Sequence, residues 1–342
     1  MKGVSLPVIT DPPDDHREVE AWLQALGGPA WFMLEGEDDR RCRVVTTLLH
    51  GNEPSGTLAL HRWLAERPRP RTRLAVLLAN VRGALSHPTF THRHTPDDRD
   101  LNRCFRPPFE GPSGELARAI IGDLEAWAPE CVIDLHNTSG NGPAFAVATH
   151  RQPVVEALCG RLCEQLIVTD MRLGSLMELP LTRPRLAGCP VFTLECGGAL
   201  QPAARDVAEE LYRLLAECPD LAALPAAPGL EVLVHPLRVE LCPGASVAYD
   251  RLPRAGVDVT LWSRIDEHNR GVTSPSATLG WLGPRGLACL QARDGEGRER
   301  VQELFREREG RLHARRPLRL FMATTNSDIA RSDCLFYAVP LA

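Results

Sequence analysis

Four stretches of this chain are apolar or β-branched nearly throughout: Arg43–Leu49 (RVVTTLL), Arg73–Ala79 (RLAVLLA), Cys131–Leu135 (CVIDL) and Pro190–Leu194 (PVFTL). A strand that faces water on one side alternates polar and apolar residues, whereas a strand covered on both faces does not. Segments with helical character lie between them at Ser55–Ala65, Gly114–Ala126 and Pro153–Gln165, and another follows at about Pro202–Ala216. Helices alternating with doubly covered strands predict an α/β domain, with a mainly parallel or mixed sheet and helices on both faces. Shorter strands are expected at Ala144–Ala148 and Leu166–Thr169, and a helix in the lead-in near Glu18–Ala25.

The pattern changes after Cys218–Gly229 (CPDLAALPAAPG), whose proline and alanine content marks a linker. Beyond it, short runs such as Glu231–His235, Ser246–Tyr249 and Leu335–Val339 sit between Gly/Pro turns, with one helix expected at Glu299–Glu309. At 342 residues the chain is long enough for two domains. The expected division is residues 1–225, carrying the chemistry, and a smaller β-rich domain, residues 226–342.

Composition removes several classes of function. A formal charge of −5 argues against a general nucleic-acid binder. No apolar run approaches the roughly 18–20 residues of a membrane span. The start of the chain is rich in proline and acid, with no apolar signal core. The 11 cysteines are odd in number, scattered and without a C-x-x-C pair; Cys159 and Cys163 fall four apart on an expected helix. This is no disulfide framework, and reduced cysteines in a cytoplasmic protein are the expectation. Lysine occurs only at Lys2, which excludes a catalytic lysine from the body of the chain. The remaining basic residues are arginine, suited to bidentate carboxylate recognition.

Ligands of open α/β sheets bind beyond the carboxyl ends of the strands. His50-Gly51-Asn52-Glu53 follows one apolar run, Asp134-Leu135-His136 closes a second, and Thr193-Leu194-Glu195 closes a third. If these strands are neighbours, the three pieces converge. Catalytic zinc commonly takes three protein ligands and leaves a position for water. His50, Glu53 and His136 supply such a set, although two imidazoles and a carboxylate also bind other divalent ions. Glu195 is then the candidate general base, taking a proton from zinc-bound water and passing it to a leaving nitrogen. Asp134 shares the strand face of His136 and is a candidate acceptor for its second ring nitrogen; an ordinary structural role stays open. The stretch Gly83–Pro108 is long, polar and punctuated by proline, as functional loops are. Within it, Asp100-Leu101-Asn102-Arg103 offers Asn102 and Arg103 as a clamp for a substrate carboxylate.

The pieces H-G-N-E at 50–53, D-L-N-R at 100–103, D-L-H-N at 134–137 and T-L-E-C-G-G at 193–198 resemble the succinylglutamate desuccinylase/aspartoacylase family, within the zinc carboxypeptidase-like fold. They occur in the family's order and cover about the first 200 residues. The resemblance implies one Zn2+ on His50, Glu53 and His136, Glu195 as catalytic acid/base, and Asn102 and Arg103 on a substrate carboxylate. Aspartoacylase-like members carry a further arginine ten residues before the catalytic glutamate, and Arg185 has that spacing. Members also carry an arginine shortly before D-L-N-R that polarises the scissile carbonyl. Here Arg93 and Arg99 compete for that place, and Arg93 is taken as the candidate. The implied activity is hydrolysis of the amide of a small, carboxylate-bearing N-acyl amino acid. A metallocarboxypeptidase acting on peptides would use the same constellation, and a non-catalytic metal- or metabolite-binding protein would have no need of Glu195. A homo-oligomer is left open.

Overall fold

The computed structural model describes residues 5–11 and 17–341. Lys2 and most of the proline- and acid-rich start, residues 12–16, lie outside the described residues. The chain divides into two compact units. The first comprises Met1–Asn137, Ala144–Leu166 and Arg172–Glu231; the second comprises Thr138–Pro143, Ile167–Met171 and Val232–Ala342.

The first unit is built on strands β1 (Val8–Ile9), β2 (Ala30–Leu34), β3 (Asp38–Thr47), β4 (Thr72–Leu78), β5 (Cys131–Thr138) and β6 (Phe145–Ala148). The chain leaves it along β7 (Gln165–Val168) and runs through it again in β8 (Val191–Gly198). The order across its sheet is β1-β2-β4-β3-β5-β8-β6. β3 is central, with β4 and β5 both parallel to it, in register Val44↔Ala75 and Val44↔Val132. β2 runs antiparallel to β4, and β6 antiparallel to β8, so the sheet is mixed. Val44, Val45, Leu74 to Leu78, Val132 and Ile133 are fully buried, as strands covered on both faces must be.

Among the described residues these strands are accompanied by the α-helices α1 (Val19–Leu26), α2 (Ser55–Leu64), α3 (Val81–Leu85), α4 (Gly111–Trp127), α5 (Pro153–Leu162), α6 (Leu179–Thr182) and α7 (Pro202–Glu217). Proline in the first turn starts α4, α5 and α7, where its missing N–H costs no hydrogen bond. Along α7, Ala204, Ala208, Leu211, Tyr212 and Leu215 recur at helical spacing and are buried. Tyr212 stacks on Trp63 of α2 at 5.6 Å and donates its hydroxyl to the Gly56 carbonyl at 3.0 Å. The buried Arg43 at the start of the apolar part of β3 binds Glu130 and the carbonyls of Leu215 and Cys218, tying that strand to the end of α7.

The second unit contains β9 (Glu231–Val234), β10 (Leu237–Leu241), β11 (Val247–Asp250), β12 (Val259–Trp262), β13 (Thr278–Leu282), β14 (Leu290–Arg293), β15 (Phe305–Arg308), β16 (Arg311–Ala314), β17 (Leu318–Phe321) and β18 (Phe336–Pro340), with the short helices α8 (Val301–Leu304) and α9 (Ser327–Ser332). Two sheets, ordered β14-β10-β18-β17 and β11-β12-β13-β16-β15, enclose a core that includes Val239, Leu261, Leu279, Leu312, Phe305 and Phe336. The helix expected at Glu299–Glu309 is here a correction. Only α8 is helical, and Phe305 onward is strand. Arg308 pairs with Arg311 across Glu309-Gly310, whose φ values are +53° and +70°. Two consecutive residues with positive φ make the hairpin turn that a two-residue connection favours, and that turn overrides the helical propensity of the Glu/Arg run. Among the described residues no helix is long and apolar enough to cross a membrane.

Candidate metal and catalytic site

The first site piece is the connection from β3 to α2. Leu48 takes φ +61° just past the strand, and the chain turns through His50–Glu53, with the Glu53 N–H donating to the His50 carbonyl at 3.2 Å. Gly51 is required by contact. A β-carbon there would stand 2.5 Å from the Ala84 nitrogen and 2.7 Å from the His92 oxygen. The Gly51 N–H donates to the Arg93 carbonyl at 2.9 Å, and Asn80 Nδ2 donates to the same oxygen at 3.1 Å. The backbone of the long polar loop is thereby laid against the turn that carries His50 and Glu53.

One side-chain atom from each of His50, Glu53 and His136 lies within 4.8 Å of the others, and all three residues are buried. Glu53 stands between the imidazoles, with Oε1 2.9 Å from His50 Nδ1 and Oε2 2.7 Å from His136 Nδ1. The Asn137 N–H also donates to Oε2, at 3.1 Å. The outer ring nitrogens each face an aspartate: His50 Nε2 lies 3.0 Å from Asp100 Oδ1, and His136 Nε2 lies 2.7 Å from Asp134 Oδ2. The buried Asp134 is itself held by the Thr46 hydroxyl at 2.6 Å. A ring that donates Nε2–H outward presents its Nδ1 lone pair inward, which is how a ligating histidine is normally set. Two nitrogens and an oxygen, each ring backed by a carboxylate, fit a zinc-type ion.

Glu195 lies in β8 and is 7% exposed, and its Oε2 has no hydrogen-bond partner among the described residues. Burial pushes its carboxyl up to about 7; His136 and His50 oppose the rise, and Glu53 and Asp134 add to it. Burial acts on Glu53 in the same sense, but His50 and His136 outweigh it and hold Glu53 well below the usual carboxylate range. Asp100 is likewise held low, against its burial, by His50, Arg93 and Arg103. His136 is raised, because Asp134 and Glu53 outweigh the cost of burying its charge.

The arginines separate by position. Arg93 binds Asp100 Oδ2 through Nε at 3.0 Å and a terminal nitrogen at 2.9 Å, with its other terminal nitrogen 3.8 Å from Glu53 Oε1. Arg99 instead donates to the carbonyls of Pro108 and Glu110. Asn102 is buried in a 3₁₀ turn (Leu101–Arg103), its Oδ1 accepting from the Leu176 N–H at 3.0 Å and its Nδ2 3.2 Å from His136 Nε2. The half-buried Arg103 donates to the Asn102 carbonyl at 3.0 Å. Arg185 is exposed on the turn Pro184–Leu186, and no hydrogen bond or ion pair among the described residues joins it to the group.

The catalytic-domain model of succinylglutamate desuccinylase/aspartoacylase matches residues 43–222, which span all of these pieces. The chain belongs to this family. Among solved structures it is similar to a succinylglutamate desuccinylase/aspartoacylase from Rhodobacter sphaeroides, at TM-score 0.57 and 16% identity over 91% of this chain and 88% of that one. Murine aminoacylase 3 gives 0.52 and 15%, over 89% of this chain and 96% of that one. Succinylglutamate desuccinylase from Vibrio parahaemolyticus gives 0.54 and 12%, over 96% of each. At such identities what is shared is the fold. No curated protein matches the chain in sequence.

Two contributors to this family site were not assigned roles from the sequence. Asp100 opens the D-L-N-R motif, yet its side chain serves His50 and Arg93 together. The rule that a ligating histidine gives its second N–H to a carboxylate could have raised it, but His50 lies 50 positions away. Asn137 is the other: it closes the D-L-H-N piece, but the piece alone does not say what its side chain holds. Asp100→Ala is expected to weaken zinc binding by about 10- to 100-fold, as loss of an outer-shell partner does. Competition against a zinc chelator measures it, and affinity equal to the parent's would contradict the placement.

Proposed function

We propose that this chain hydrolyses the amide bond of an N-acyl amino acid, using a zinc ion on His50, Glu53 and His136 and Glu195 as general base and then general acid. The observation that carries this is the unpartnered, buried carboxylate oxygen of Glu195 in a strand beside a nitrogen–nitrogen–oxygen ligand group. A pure binding site gains nothing from a buried carboxylate oxygen left without a partner.

When bound, a dication supplies Lewis-acid polarisation and lowers the pKa of water. The residues supply the rest. Glu195 takes a proton from the attacking water, holds it on its carboxyl, and delivers it to the amide nitrogen as the C–N bond breaks. Burial raises the carboxyl above the usual range, which favours its holding the proton between the two transfers. Arg93 places a guanidinium where negative charge develops on the carbonyl oxygen. Asn102 and Arg103 hold a substrate carboxylate, and Arg185 is kept as a candidate for a further acidic group. In this proposal residues 1–225 carry the chemistry, residues 226–342 form the β-rich domain, and the cytoplasm suits eleven cysteines that are all unpaired.

Amine release from a panel of N-acetyl, N-succinyl and related amino acids tests the reading. Zinc-replete protein is expected to free the amine from at least one carboxylate-bearing member. Silence across the whole panel would remove the proposal, and faster cleavage of peptides would redirect it to a carboxypeptidase.

A further inference from the structure

We propose that the side chain of Asn137 is a positioning residue that sets Glu195 against the His50–Glu53–His136 group. This rests on the reading of Glu195 as the base. Asn137 follows His136 on β5, so its side chain leaves the opposite face of the strand. It is 2% exposed, and its amide makes three hydrogen bonds. Oδ1 accepts from the Ser55 N–H at 3.1 Å, while Nδ2 donates to Ser55 Oγ and to the Gly197 carbonyl, both at 2.9 Å.

Those partners stand on the two segments whose separation matters. Ser55 opens α2, two residues after Glu53, and Gly197 lies two residues after Glu195 on β8, the sheet neighbour of β5. One amide therefore joins the turn that carries a ligand to the strand that carries the base, across 82 and 60 positions of sequence. Gly197 has φ +107°, a conformation open mainly to glycine, and its carbonyl is received by Asn137.

The ligand group has supports that do not need this side chain. Asp100 and Asp134 hold the two rings, and the backbone N–H of Asn137, which any substitution other than proline keeps, holds Glu53. The unpartnered Oε2 of Glu195 has no such hold. Where Glu195 sits depends on the backbone beneath it, and Asn137 fixes that backbone. Loss of the side chain is thus expected to act on turnover rather than on metal binding.

The test is Asn137→Ala in the full-length, zinc-loaded protein. Zinc stoichiometry stays as in the parent, KM stays within about twofold, and kcat falls about 10- to 100-fold, the scale of an ångström's misplacement. Hydrogen–deuterium exchange speeds up in peptides covering Glu53–Thr57 and Glu195–Ala199. In a Glu195→Gln background the same substitution lowers kcat little further, since the two act through one group. The proposal is overturned by unchanged exchange in both peptides, by an additive loss in that background, or by a kcat loss that follows the loss of bound zinc. If Glu195→Gln alone keeps full activity, the base assignment fails, and exchange still judges the clip by itself. Should Asn137→Ala not fold, Ser55→Ala removes one acceptor of the same amide and is expected to lower kcat in the same direction with zinc retained; an unchanged kcat there counts against the proposal.

Discussion

Glu195→Gln is expected to lower kcat by about 10²- to 10⁴-fold, the usual worth of a general acid–base group, while zinc content stays at the parent's level. Glutamine keeps the size of the side chain and removes only its ability to take and return a proton. Glu195 is not one of the three clustered ligand residues, so the metal is not lost with it. Elemental analysis beside steady-state kinetics separates this from a trivial loss of cofactor, and activity within a few-fold of the parent would end the base assignment. A second consequence follows from linkage. The folded carboxyl sits at about 7, above its ordinary 4.5, chiefly because it is buried. A carboxyl raised in the folded state weakens folding as pH climbs from the unfolded value through the folded one, and the full penalty is present above about 7. The glutamine variant escapes it. Zinc-free Glu195→Gln should therefore unfold at higher denaturant than the zinc-free parent at pH 8, by on the order of 3 kcal/mol, and the difference should vanish near pH 4. An inactive but more stable variant is the usual sign of a group kept for chemistry. A bound dication favours the charged carboxylate, so the same comparison with zinc present should give a smaller gap.

Much of this was legible because it is local. The doubly covered strands announce themselves by lacking alternation, and the candidate ligand and base residues fall at their carboxyl ends. Here β5 and β8 run on to Thr138 and Gly198, so that His136 and Glu195 lie within the last turns of pleat rather than beyond them. Other features depend on partners far along the chain. Arg93 could not be told from Arg99 until the Gly51 turn and Asp100 fixed one beside the ligands and the carbonyls of Pro108 and Glu110 drew the other away. Asn137 joins three segments that no periodicity relates. The hairpin at Glu309-Gly310 turns on a positive φ at a glutamate, for which composition gives no warning.

Zinc loading of the metal-free protein at neutral pH is expected to release at least one proton, and removing His136 is expected to abolish that loading. The Glu53 carboxylate stands between two imidazoles, and Asp134 lies on the far side of His136. Burial alone would strip the charge from His136, but the two carboxylates outweigh it and keep the ring protonated above its ordinary 6.5. A ligating nitrogen must be free of its proton, so zinc has to displace it. The sign is then fixed. Apparent zinc affinity rises with pH until His136 deprotonates in the free protein, and below that point it falls by at least about tenfold per pH unit, the slope for one displaced proton. Calorimetric titration in buffers of different ionisation heat counts the protons, and an affinity independent of pH between 6 and 8 would contradict the arrangement. His136→Ala removes a ligand together with the positive partner of two buried carboxylates. Breaking a buried pair from one side typically costs about 3–5 kcal/mol, so this variant should lose zinc and also unfold at lower denaturant than the metal-free parent. Asp134→Asn in the same background removes one of the stranded charges and should restore part of the stability without restoring zinc, which separates the electrostatic role of His136 from its role as a ligand.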